Sequence, residues 1–232
     1  SLGKHLDEFL EEYNGGTMQS GVWLSGFYGS GKSYFAQIIG LLLQNRDILG
    51  TAMRDRFDVK LAGLPNEGLL RNEIGSLSRL NNHVVSFDAS KHNNANGLPY
   101  MIFSSFLRSL GMTDTWHGLV EYDILIEGQR QRFLETVQQV AGKPWSEIIK
   151  SNAEMVKWFK QVLIAMGYTQ EQYDELRYMA NTTRNEYDAA RLKQDLQRYL
   201  DLNPDTRIVF FIDEVSEAVT QKKIKLDDLE GV

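Results

Sequence analysis

The spacing of apolar and polar positions changes several times along this chain, and each change predicts an element. Over residues 3–13, Leu6, Phe9, Leu10 and Tyr13 share one helical face while Asp7, Glu8, Glu11 and Glu12 share the other. This predicts a docking helix, stopped by Asn14, Gly15 and Gly16. Val22, Trp23 and Leu24 form a short apolar run suited to a buried strand, and Phe35, Ile38, Ile39, Leu42 and Leu43 then recur at helical spacing until about Arg46. Weaker helical patterns cover 49–57 and 67–80, with Gly63, Leu64 and Pro65 as a break between them. Residues 83–87 read as a second strand ended by Asp88, and 91–97 as a polar loop. Pro99 suits the first turn of a helix carrying Met101, Ile102, Phe106 and Leu110.

From 111 to 204 helix signals follow one another. Phe133, Val137 and Val140 precede Gly142 and Pro144; Met155, Trp158, Phe159 and Val162 precede Gly167; Leu192, Leu196, Tyr199 and Leu200 precede Pro204. Thr169 and Gln172 have capping-box spacing for a further helix. The aromatics here, Trp145 and Trp158 among them, read as core rather than as a binding platform. Ile208 to Ile212 then form a continuous apolar run, the pattern of a parallel strand buried on both faces. The expected architecture is α/β: a parallel sheet flanked by helices, with a docking helix in 1–20, the first part of the core in 21–110, a helical insertion in 111–204, and an acidic-ended strand and the start of its following helix in 205–232.

Composition narrows the class without naming a chemistry. The chain has 232 residues, 42% hydrophobic and 24% charged, as in an ordinary globular protein. No apolar run approaches membrane length and no signal peptide opens the sequence, so a cytoplasmic location is expected and no membrane partner. A formal net charge of -6 provides no general footprint for nucleic acid. With no cysteine there are no disulfides or thiolate metal sites, and His5, His83, His92 and His117 lack metal-ligand spacing.

Chemistry concentrates in two stretches. Gly26, Phe27, Tyr28, Gly29, Ser30, Gly31, Lys32 and Ser33 fill G-x-x-x-x-G-K-[ST] between a predicted strand and a predicted helix. Glycines there let consecutive backbone N–H groups point at an anion, and the helix N-terminus adds unpaired N–H groups and the positive end of its dipole. Lys32 supplies a point charge for the β- and γ-phosphates and the Ser33 hydroxyl a Mg²⁺ ligand. The plainer alternative is a glycine-rich turn that happens to carry a lysine. The second stretch is the end of the 207–212 strand, where Asp213 is the better candidate for Mg²⁺ and Glu214 for activating the attacking water. Two acids at a strand end also serve as helix caps. Asp88 ends a strand too, and capping the next turn is its favoured role over a place near the ligand crevice. No N-K-x-D signal for guanine occurs, which leans the cofactor to ATP with Mg²⁺.

The phrases SGFYGSGKSYF and VFFIDEVSEAVTQKKIKLDDLEG resemble the two nucleotide motifs of the large P-loop ATPases of bacterial phage-exclusion (BREX) systems, the BrxC and PglY type. GKPW at 142–145 is similar to that group with much less specificity, and Tyr34 stands where histidine is commoner. The resemblance implies an AAA+-like P-loop NTPase fold and ATP hydrolysis with Glu214 and Lys32 as catalytic residues. It also implies a place in a multi-protein antiviral defence complex on or near DNA, with other complex proteins and further copies of itself as candidate partners.

Proteins of that kind are far longer, and an Asp-Glu pair ending the acidic strand goes with a further strand after it. Asp227, Asp228, Leu229 and Glu230 would only begin the helix leading there, so the chain reads as an N-terminal fragment with an incomplete sheet. Sensor residue, arginine finger and lid are expected beyond Val232. The alternative function is a nucleotide-controlled switch or scaffold of the STAND signalling type with little turnover of its own.

Overall fold

A computed structural model describes residues 2–15, 31–79, 81–92 and 96–225. In chain order the first elements are α1 (Leu2–Gly15), α2 (Lys32–Gln44), β1 (Asp47–Ile48), β2 (Thr51–Ala52), α3 (Met53–Leu61), α4 (Glu67–Ser76), a 3₁₀ turn (Leu77–Arg79) and β3 (Asn81–Asp88). There follow α5 (Gly97–Ser109), α6 (Trp116–Ile126), α7 (Arg130–Ala141), α8 (Trp145–Ile148), α9 (Asn152–Ala165), α10 (Gln170–Asn185), α11 (Ala189–Leu202), β4 (Thr206–Asp213) and α12 (Val215–Thr220). The fold is mixed α/β and mostly helical, with β3 and β4 forming a two-stranded parallel sheet. None of the described helices is long and apolar enough to cross a membrane. The expected strand at Val22 to Leu24 lies outside the described residues, as do Asp227 to Glu230.

Contacts divide the chain into two units, residues 1–86 with 205–213 and residues 87–204 with 214–232. In the first, Leu6, Leu10 and Tyr13 of α1 join Ile39, Leu42 and Leu43 of α2 and Leu70 of α4 in one apolar core, as the 3.6-residue spacing of each helix requires. Polar clamps fix the ends. The Tyr13 hydroxyl donates to Asn82 Oδ1 at 2.5 Å, and the Arg207 guanidinium lies 4.4 Å from the Tyr13 ring while donating to its carbonyl. Arg54 donates to the carbonyls of Leu42 and Leu43, acceptors that the end of α2 leaves open, and to that of Leu77 in the 3₁₀ turn.

Three local expectations are revised here. The stretch 49–57 is not one helix: Leu49 and Gly50 take left-handed φ of 54° and 78°, closing a β1–β2 hairpin, and α3 begins only at Met53. The Asp47 carboxylate stabilises that turn by accepting the Gly50 N–H at 2.7 Å. The 67–80 pattern ends its α-helix at Ser76 and tightens into the 3₁₀ turn. Finally, β4 is half-buried from Thr206 to Ile212 rather than sealed on both faces. Phe211 packs against Gly40 of α2, and among the described residues β3 is the hydrogen-bonded neighbour of β4.

The second unit is helical. Its α5, grouped by sequence with the first part of the core, packs against α6 and α11, because residues from Leu98 to Leu107 are buried all round the helix. The sequence pattern does not announce α6 for the same reason: seven of its eleven residues are buried, so no amphipathic stripe is visible. The expected capping box at Thr169 and Gln172 is formed in both directions. Trp145 is buried and donates from Nε1 to Glu121 Oε2 at 2.8 Å, whereas Trp158 is only half-buried beneath Lys157.

Two buried acids organise this unit. Glu121 also receives Arg130, which in turn donates to the Leu110 carbonyl. Burial pushes the Glu121 carboxyl up, and the hydrogen bond from Trp145 and the charge of Arg130 oppose that rise. Asp195 receives the Tyr187 hydroxyl at 2.9 Å, Arg191 Nε at 2.8 Å and Arg198 Nη1 at 3.1 Å. Its backbone carbonyl accepts the Tyr122 hydroxyl at 2.5 Å. Buried carboxylates persist only when their oxygens are matched in this way.

Candidate functional site

The site is built outward from the start of α2. Gly31 immediately precedes the helix with φ 87° and ψ 13°, a left-handed conformation that a residue with a Cβ adopts at a cost of about 1 kcal/mol. A Cβ added there would meet nothing within 4 Å, so the requirement is conformational and not steric. The Gly31 carbonyl accepts the Phe35 N–H at 2.9 Å, which closes the first helical turn. The N–H groups of Lys32, Ser33 and Tyr34 precede that bond, the arrangement that favours an anion at a helix end. Lys32 is half-buried and Ser33 exposed. Gly26, Phe27, Tyr28, Gly29 and Ser30 lie outside the described residues.

Contacts within the first unit fix the direction of α2. Asn82 near the start of β3 reaches the Leu43 carbonyl near the end of α2, while Gly40, one turn earlier, faces Val84 further along β3. The helix therefore runs antiparallel to the strand. The two strands start together, with Asn81 donating to the Asp205 carbonyl at 3.0 Å, and Phe211 of β4 lies beside Gly40. Lys32 stands eight residues before Gly40, about 12 Å along the axis, and Asp213 two residues beyond Phe211, about 7 Å along its strand. Both displacements point the same way. Lys32, Ser33 and Asp213 are thus brought to one end of this unit, with the Ser33 and Asp213 side chains exposed.

Glu214 follows directly and is grouped with the second unit. Its backbone is left-handed, φ 54° and ψ 34°, at the junction of β4 and α12. For a residue other than glycine such a conformation costs on the order of 1 kcal/mol and turns the strand abruptly into the helix. Its carboxylate makes no capping hydrogen bond to α12, so the plain helix-cap role is not the one it plays.

Within the second unit, Asp88 has the turn-capping role the sequence favours. Its carboxylate accepts from the Ser90 N–H at 2.9 Å, the Ser90 hydroxyl at 2.7 Å and the Lys91 N–H at 3.3 Å, and Lys91 Nζ sits 2.7 Å away. Burial acts to raise the Asp88 pKa, but the hydrogen bonds from Lys91 and Ser90 and the Lys91 charge prevail and bring it to about 2. Sequence reading attached no weight to Lys91. It pairs with Asp88, and the Glu214 and Glu217 charges add to the upward pull on its ammonium. A lysine in a polar loop carries no linear signal for such a position.

The histidines form no centre. Among the described residues, no group of three or more His, Cys, Asp or Glu side chains is placed to hold a metal ion. His117 is buried against Trp116 and Phe159, and burial, helped by Arg177, depresses its pKa to about 4. His92 is depressed to about 4 by burial and then by Arg108, which contacts its Nε2.

Open clefts among the described residues of the helical unit include one between Arg132, Tyr168 and Gln172 and one between Val140, Lys157 and Ile164. Neither includes a motif residue. Searches of protein-family models and of solved structures found no match to this chain.

Proposed function

We propose that this chain binds Mg²⁺-ATP through residues 26–33, as part of an AAA+-like P-loop ATPase of the phage-exclusion type. The observation that carries the reading is the complete G-x-x-x-x-G-K-S sequence running into a helix that opens at Lys32, with Asp213 ending a parallel strand at the same end of the unit. Backbone N–H groups and the helix dipole favour the phosphates, Lys32 adds a full positive charge, and Gly31 supplies the left-handed turn between loop and helix. Mg²⁺ takes one or two protein oxygens beside phosphate and water, so the exposed Ser33 hydroxyl and Asp213 carboxylate are a suitable donor pair without a larger acidic cluster. When bound, Mg²⁺ neutralises charge on the β- and γ-phosphates. Glu214, at the junction of β4 and α12 directly after Asp213, is the base that orients water.

Calorimetric titration of the chain with ATP and Mg²⁺ tests the binding step. Lys32→Ala is expected to abolish measurable binding; unchanged affinity in that variant removes the assigned role of the loop. Glu214→Gln is expected to retain nucleotide and stop hydrolysis, and turnover at the unaltered rate would take Glu214 out of the mechanism. A defence role in a DNA-associated complex is the part of the proposal that rests on the motif resemblance alone.

A further inference from the structure

We propose that Tyr34 is the base platform of this site, its ring stacking on the base of a nucleoside triphosphate whose phosphates are held by residues 26–33. The inference rests on the phosphate-binding reading above. The large apolar residues of α2 point inward, with Phe35, Ile38, Ile39, Leu42 and Leu43 each at most 8% exposed, but Tyr34 in the first turn is 63% exposed. A single exposed aromatic is ordinary on a protein surface. The place of this one is not.

Side chains on a helix tilt toward its N-terminus and cover the turn before their own Cα. Tyr34 is the third residue of α2. The turn before it is therefore the Gly31 junction, so a ring that follows this tilt covers the helix end rather than a preceding helical turn. A phosphate chain bound at that end carries its nucleoside out over the same rim. An aromatic face there gains by covering a base, and such stacking is tolerant of base identity because every base offers a π-face. The ligand class is thus a nucleoside triphosphate recognised by ring and phosphates together, with weak preference between adenine and guanine.

The test compares ATP, GTP and inorganic tripolyphosphate, each with Mg²⁺, by calorimetry on the 232-residue chain. Tyr34→Ala is expected to weaken ATP and GTP alike, by roughly 5- to 150-fold, and to leave tripolyphosphate binding unchanged. Tyr34→Phe keeps the ring and is expected to bind all three as the parent chain does. The exposed position makes loss of folding in these variants a minor concern, checked by superimposable circular dichroism. Parent-like ATP affinity in Tyr34→Ala overturns the inference, as does an equal loss of tripolyphosphate, which would report a disturbed loop. Equal affinity of the parent chain for ATP and tripolyphosphate overturns it too. If the parent chain binds neither ligand, or Lys32→Ala binds both unchanged, the phosphate site itself falls and takes the inference with it.

Discussion

Replacing Asp195 by alanine is expected to destabilise the helical unit by about 3 kcal/mol. The Asp195 residue is 1% exposed and its carboxylate serves three donors at once. Without it, the hydroxyl of Tyr187, a residue 5% exposed, loses its acceptor, at a cost of about 1–3 kcal/mol. Removing one partner of a buried ion pair costs about 3–5 kcal/mol when the other charge stays buried. Here Arg191 and Arg198 keep 38% and 31% of their side chains exposed, so water recovers part of that loss and the total falls at the low end. Urea unfolding followed by tryptophan fluorescence measures it, because Trp116, Trp145 and Trp158 all belong to the unit concerned. With a urea slope of about 1–3 kcal/mol/M the midpoint should drop by about 1 M or more. Asp201→Ala, at an exposed position of α11 four residues after Gln197, is the control. Tyr187→Phe added to Asp195→Ala should recover part of the loss by removing the stranded hydroxyl. A midpoint for Asp195→Ala that coincides with the Asp201→Ala control refutes the reasoning.

Two further predictions use the same measurement. A Cβ at Gly118 would lie 1.8 Å from the Thr113 carbonyl oxygen, so Gly118→Ala should destabilise the helical unit by roughly 1–3 kcal/mol. A midpoint equal to that of the Asp201→Ala control would contradict the assigned contact. For His92 and His117, burial holds the folded pKa at about 4 against an unfolded value of about 6.5, so their stabilisation is complete above pH 6.5 and is lost as pH falls from there toward 4. The urea midpoint should therefore be lower at pH 5.0 than at pH 7.5, with a smaller difference in His117→Gln; a pH-independent midpoint in the parent chain refutes the point.

Much of the local structure is legible in the sequence, and the departures have identifiable causes. Helices α1, α2, α7, α9 and α11 each carry one apolar face whose spacing reveals them, and α10 is announced by its Thr169–Gln172 capping box. The opposite case is α6, which is buried on most sides and loses its periodic signature. The hairpin at 47–52 escapes notice because Leu49 adopts a left-handed conformation that its residue type does not advertise. In the candidate site, the types and spacing of Gly31, Lys32, Ser33, Asp213 and Glu214 are sequence information. The left-handed backbone of Glu214 and the attachment of Lys91 to Asp88 are not.

By itself the sequence determines the G-x-x-x-x-G-K-S motif, the faces of the amphipathic helices, the Thr169 capping box and the acidic end of β4, because each depends on residues within a turn or two of one another. Tertiary structure alone decides that α2 runs against β3 and β4, so that Lys32 and Asp213 share one end of a unit although 181 positions separate them. It also decides that Asp88 is consumed by its own turn while Glu214 is left without a capping bond. Periodicity records which face of an element is apolar; only packing selects the surface that face meets, and with it the direction in which the polar ends point.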